Sequence, residues 1–386
     1  MSRLSVTQEA NPKQAPASNL ARTGSRGLAV RSAALIRRGL RDLARDSNWL
    51  VRKVFQGPVT QAAVSPDGQV CTISPQVRQG GHSLTLFDVE RCVPTLTLSL
   101  MAEADDPDEV DLPARFAWSP DGRYLLRARG SRGSELQLFD LQAKTFAGVF
   151  GNFAHAPSFI AWSPRGAFVA SSTRGWSASL DLWQMRLPSK SPGDAVAKHT
   201  QQLGVPDWLE PRSTDGESSE AGRFSGYGRM MFSPDERHIA ATVEIGGEWA
   251  DDLIVFLHAA TLQKRSVFEA QGRITDLAWS NDGQRLVYCS AGQAFGIDPL
   301  SAECSVLPFG GEQCAWHPHL PVCLFYSSLL RSSAKGRLFL ADMNRISVFD
   351  EYPAEGVLDL RWSADGSKAY AITNDGLAYI YEPELL

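Results

Sequence analysis

Residues 117–128 read AWSPDGRYLLRA. The stretch describes a strand, a tight turn and a second strand. Proline pre-sets φ, aspartate can bond the turn backbone, and glycine takes the positive φ that other residues resist. Near-copies recur: AWSPRGAFVA at 161–170 and AWSNDGQRLV at 278–287. Aligned on the serine, the phrase recurs at Ser65, Ser119, Ser163, Ser233, Ser280, His317 and Ser363, with intervals of 54, 44, 70, 47, 37 and 46 residues. A period in the forties is the signature of a propeller or solenoid.

Each unit repeats the same chemistry. A small residue and a large aromatic precede the serine: Ala117-Trp118, Ala161-Trp162, Ala278-Trp279 and Ala315-Trp316, with Met231-Phe232 and Arg361-Trp362 as variants. Five of the ten tryptophans fall in this slot. An alternating strand follows the turn. A third strand comes next, as in SLTLFDVE (83–90), ELQLFDLQ (135–142) and SLDLWQMR (179–186). A fourth short apolar stretch often follows, such as 304–307 or 346–349. Four strands per unit with period-two patterning predict an all-β, seven-bladed β-propeller. A helical solenoid would need 3.6-residue periodicity in each unit, and none is present. The seventh unit has only three strands before the chain ends, and LVRKVF (50–55) is the expected fourth.

Over residues 50–386 the chain resembles WD40-type propellers. The SPDG turn carries the resemblance. Phe87-Asp88, Phe139-Asp140, Leu182-Trp183 and Ile297-Asp298 stand where those blades end their third strand with Trp-Asp. The Gly-His dipeptide of that family is missing from its usual place. The resemblance implies an interaction scaffold, or a subunit of a larger complex, that binds protein partners through loops on one face. It implies no cofactor. It also keeps open an enzyme reading, a metal-dependent hydrolase or lactonase with its site at the channel mouth.

Charge divides the chain. Residues 1–55 hold eleven Lys/Arg against three Asp/Glu, a net of +8, which leaves −13 for the remainder of a chain whose total is −5. Residues 1–27 read as a disordered basic tail. Residues 28–48 read as a basic extension with a short amphipathic helix: Val30, Ala33, Ile36, Leu40 and Leu43 share one face. Arg37, Arg38, Arg41 and Arg45 flank that face and are candidate partner contacts. Such a helix could instead lie on an anionic membrane, a reading that is not favoured here. Nucleic acid is disfavoured, because the body is acidic and the arm lacks aromatic stacking platforms before Trp49. The propeller is expected over 49–386.

Two insertions are candidate recognition loops. Residues 103–111 (EADDPDEVD) cluster Asp105, Asp106, Asp108 and Glu109, but lack the glycine and closing glutamate of a calcium loop. Residues 203–228 are Gly/Ser-rich and carry Trp208 and Tyr227, read as anchors for a partner. Catalytic signals are weak. The seven histidines are dispersed, His317-Pro318-His319 being the closest pair. No G-x-S-x-G, H-E-x-x-H or Walker A sequence occurs. Six scattered cysteines without a Cys-x-x-Cys pair fit buried thiols in a reducing compartment, so a cytoplasmic protein is expected. The Arg/Ser-rich start also resembles an organelle transit peptide, the alternative address.

Overall fold

The computed structural model describes residues 48–75, 82–100, 116–129, 134–154, 157–175, 178–187, 196–206, 209, 224–246, 251–301, 303–328 and 336–382. Residues 49–386 form one compact unit, apart from residues 1–48. The predicted basic helix lies outside the described residues.

Among the described residues the strands form seven sheets, each of four antiparallel strands. Six sheets take their strands in sequence order, from residues 59–100, 116–153, 159–203, 224–269, 274–306 and 313–353. The seventh joins Val357–Trp362, Ala369–Thr373 and Leu377–Tyr381 to the distant strand Trp49–Lys53. There Trp49 pairs with Tyr381 and Lys53 with Leu377. The first strands of successive sheets contact one another, and Val357–Trp362 returns to Val59–Val64.

The repeated turn explains its own sequence. In AWSPDGRYLL, Ser119 Oγ donates to Asp121 (2.5 Å) and accepts from Tyr124 N (2.8 Å), while Gly122 N donates to Ser119 O (2.9 Å). The same hydroxyl-to-carboxylate bond recurs at Ser65–Asp67, Ser233–Asp235 and Ser280–Asp282. The fourth turn position is left-handed in the six units that keep the serine: Gly122 has φ 70° and Gly283 has φ 69°. Glu236 holds φ 60° at the same place without being glycine. Its carboxylate accepts from Arg165 N (2.6 Å) in the preceding sheet, which offsets the strain of a left-handed side-chain-bearing residue.

The core lies in the seams between sheets. Leu180 and Leu182 of the third sheet pack on Ile239, Val255 and Leu257 of the fourth. Ile254 and Phe256 face Leu277, Leu286 and Tyr288 of the fifth on the other side. Six of the seams join consecutive sheets and the seventh joins Tyr370 and Ile380 to Val64 and Phe87. Each sheet thus buries both faces, which is why second strands such as Leu286–Ser290 and Val322–Ser327 are buried along their whole length.

Candidate functional site

First strands of six of the sheets line an open cavity of about 350 Å3. Its chemistry comes from one repeated slot, four residues before the turn serine. That slot reads Gln61, Arg115, Phe159, Arg229, Asp276, Gln313 and Asp359. Arg115 lies outside the described residues. Arg229 Nη1 donates to Asp276 (2.9 Å), and the Asp276 carboxylate also accepts from the Leu277 and Cys314 amides (both 3.0 Å). Asp359 accepts from Val64 N (2.8 Å), and Gln313 Nε2 donates to Val357 O (2.8 Å). The Arg229 guanidinium stands 5.4 Å from the Phe159 ring centroid, a cation–π contact.

Burial pushes the carboxyl of Asp276 above its ordinary range, with Arg229 opposing the shift. Asp359 is pushed up for the same reason, against Arg361 and the Val64 amide. Raised carboxyls in a cavity are a mark of functional sites and of structural networks alike. Here each of these polar groups bonds onward to the next sheet: Arg229 to the fifth, Asp276 to the sixth, Gln313 to the seventh and Asp359 to the first. The slot therefore latches neighbouring sheets. Alignment on the serine contains this signal, but it was legible only by reading four residues upstream in every unit.

Of the closest histidine pair, His317 serves the turn of its own unit. His317 Nδ1 accepts from the His319 and Leu320 amides (both 2.9 Å), and Nε2 bonds the Gly366 carbonyl (3.1 Å). Both ring nitrogens are thereby committed, and His317 replaces the turn serine as an acceptor of backbone N–H groups.

Of the partner-binding candidates, Arg37, Arg38, Arg41, Arg45, Asp105, Asp106, Asp108, Glu109 and Trp208 lie outside the described residues. Tyr227 requires a correction. It sits not on a loop but in the strand Phe224–Phe232, fully buried, with its hydroxyl donating to Gly204 O (2.8 Å). Its ring is unavailable to a partner. Two register shifts in this strand, at Phe224/Gly226 and Tyr227/Met230, break the alternation that would have marked it in the sequence.

No protein-family model matches the chain, and no curated protein matches it. Solved structures do. A chain of the mitotic checkpoint complex is similar with a TM-score of 0.61 at 12% identity, covering 99% of both chains. The Myceliophteria thermophila Cps50 (Swd1) β-propeller domain is similar with a TM-score of 0.59 at 14% identity, covering 86% of this chain and 100% of its own. The fold is a β-propeller. A chain of Kuenenia stuttgartiensis hydrazine synthase is also similar, with a TM-score of 0.60 at 16% identity, covering 86% of this chain and 96% of its own. At these identities the likeness concerns the fold alone.

Proposed function

We propose that this chain is a non-catalytic interaction scaffold, a seven-bladed WD40-type propeller that binds protein partners. The observation that carries the reading is the apolar character of the outer strands. Phe146 is 54% exposed on Thr145–Phe153 and Val306 is 60% exposed on Cys304–Val306, while Val348 and Phe349 lie exposed side by side on Ser347–Pro353. Outermost strands with exposed apolar side chains are surfaces on which other chains pair or pack. The internal pairing of Arg229, Asp276, Gln313 and Asp359 supports the same reading, since those groups serve the joins between sheets. A similar chain in the mitotic checkpoint complex is in keeping with membership of an assembly.

In this proposal the acidic run at 103–111 and Trp208 supply loop contacts, and Arg37, Arg38, Arg41 and Arg45 supply a second tether. Two joined weak contacts bind far more tightly than either one. The test is capture from native lysate, with full-length protein compared with a version beginning at Trp49. Retention of one partner by both places recognition on the propeller; retention by the full-length form alone places it on the arm. Retention of nothing by either would overturn the scaffold reading.

A further inference from the structure

Asp140, Asp181 and Asp252 are the aspartates buried to 3% exposure or less among the described residues. A buried carboxylate is costly unless paired and hydrogen-bonded. Asp140 is met by Arg123 Nη2 at 2.7 Å, and Asp252 by Arg273 Nη1 at 3.3 Å. Among the described residues no arginine meets Asp181. Its oxygens accept from Ser179 Oγ (2.6 Å) and bond His199 Nε2 (2.8 Å). Beside it, where the other two carboxylates have a guanidinium, an open cavity of about 340 Å3 lies between the end of the second sheet and the third.

The walls of this cavity suit a cation. Trp183 and Phe153 line it as an aromatic pair, with ring centroids 5.9 Å apart, and among the described lining residues there is no lysine or arginine. A carboxylate offers about four lone-pair sites, of which Ser179 and His199 occupy two. A tryptophan face is also the best partner for a cation. The His199 ring lies tilted against Trp183, centroids 4.7 Å apart, and is held by Asp181, so the rim is ordered before any ligand arrives. Ser179 is itself fixed, its amide donating to Thr173 Oγ1 (2.8 Å).

We propose that this inter-sheet cavity receives a basic side chain, a guanidinium or ammonium group, from a protein partner, with Asp181 as its counter-charge. The inference rests on the scaffold reading and names the chemistry of the partner's contact residue. The group completes at Asp181 the pairing that Arg123 and Arg273 complete internally at Asp140 and Asp252.

The test is calorimetric titration of full-length protein with N-acetyl-arginine amide, its uncharged isostere N-acetyl-citrulline amide, and agmatine. The capped arginine is expected to bind at least tenfold more tightly than the citrulline probe. Asp181→Asn, which keeps the shape and an acceptor oxygen, is expected to abolish that preference. The comparison of probes on the unaltered protein stands even if the variant folds poorly. Equal binding of arginine and citrulline probes overturns the proposal, as does an unchanged preference in a folded Asp181→Asn protein. Binding of agmatine without binding of the capped arginine also overturns it, since the site would then select a free small amine. Partner capture by protein that ignores every probe would leave the scaffold standing and remove only this cavity from the interface.

Discussion

The indole of Trp362 donates to the carbonyl of Ala315 across 3.1 Å, from one sheet to the one before it. The same bond joins Trp118 to Ala63, Trp162 to Ala117 and Trp279 to Met231. The repeated dipeptide before the serine thus encodes an inter-sheet lock: the aromatic supplies the donor, and the preceding residue's carbonyl receives it one unit earlier. The polar slot two to three residues upstream of that dipeptide bonds in the opposite direction. Trp362→Phe keeps an aromatic ring of smaller size and deletes the donor. It is expected to lower stability by about 1 kcal/mol, the typical net value of one hydrogen bond. Trp316 donates instead within its own turn, to Leu320 O (3.2 Å), so Trp316→Phe should leave the joins between sheets intact. Urea denaturation of both variants checks this; an equal loss with a weakened inter-sheet seam in both would refute the distinction.

His317 makes an acid-sensitive joint between the sixth and seventh sheets. Its ring packs on Trp362 at 4.5 Å while Nε2 bonds Gly366 O. Burial holds its pKa below the ordinary 6.5, against the Gly366 bond, and His319 adds to the depression. A folded pKa below the unfolded one means that stability is complete above about 6.5 and is lost as pH falls through the folded value. Protonation of Nδ1 would also end its acceptance of the His319 and Leu320 amides. His317→Asn is expected to flatten the fall in melting temperature between pH 7 and pH 5. An unchanged pH profile would remove His317 as its source.

The turns were legible in the sequence because their bonds are local: Ser119, Asp121 and Gly122 need only one another. The acceptors of the tryptophans were not, since each lies about one repeat away and is a main-chain carbonyl that no side chain advertises. Tyr227 was misread for a related reason. Gly226, at φ 148°, allows the strand to approach Arg174, where a Cβ would meet the Arg174 Cα at 2.6 Å. In sequence that glycine, with Gly228, resembles loop composition. The cavity at Asp181 was equally hidden, because Ser179, Asp181 and His199 meet only when the third and fourth strands of one sheet pair.

Asp359 gives a prediction of opposite sign to His317. Its carboxyl is raised by burial, so its contribution favours the fold below the unfolded value near 3.9 and declines as pH rises through the folded one. Asp359→Asn retains an oxygen for the Val64 amide and removes the charge. The variant is expected to melt above the parent protein at pH 7 and level with it at pH 3, where both are neutral. Calorimetry at the two pH values reads this directly. A variant that melts lower at pH 7 would show that attraction to Arg361 outweighs the burial of the carboxylate.

Trp49 joins the two ends of the propeller. It is 2% exposed, packs on Tyr381 at 5.0 Å and Tyr352 at 6.0 Å, and begins the strand that pairs with Leu377–Tyr381. The amides of Val54 and Phe55 then both donate to Gly376 O, continuing the attachment past the strand. Truncating a buried tryptophan costs about 3–5 kcal/mol, a large share of the stability of a natural domain. Trp49→Ala is therefore expected to depress the melting temperature sharply, and removal of residues 50–56 more so, because it also strips the outer edge of Leu377–Tyr381 of its backbone partner. Leu50 pairs with Ile380 but is 37% exposed, so Leu50→Ala should change stability by about 0.5 kcal/mol or less. Differential scanning calorimetry of the three proteins separates the terms. If Trp49→Ala and the deletion both melt with the parent protein, the strand is an accessory to the last sheet and the remaining three strands hold it unaided.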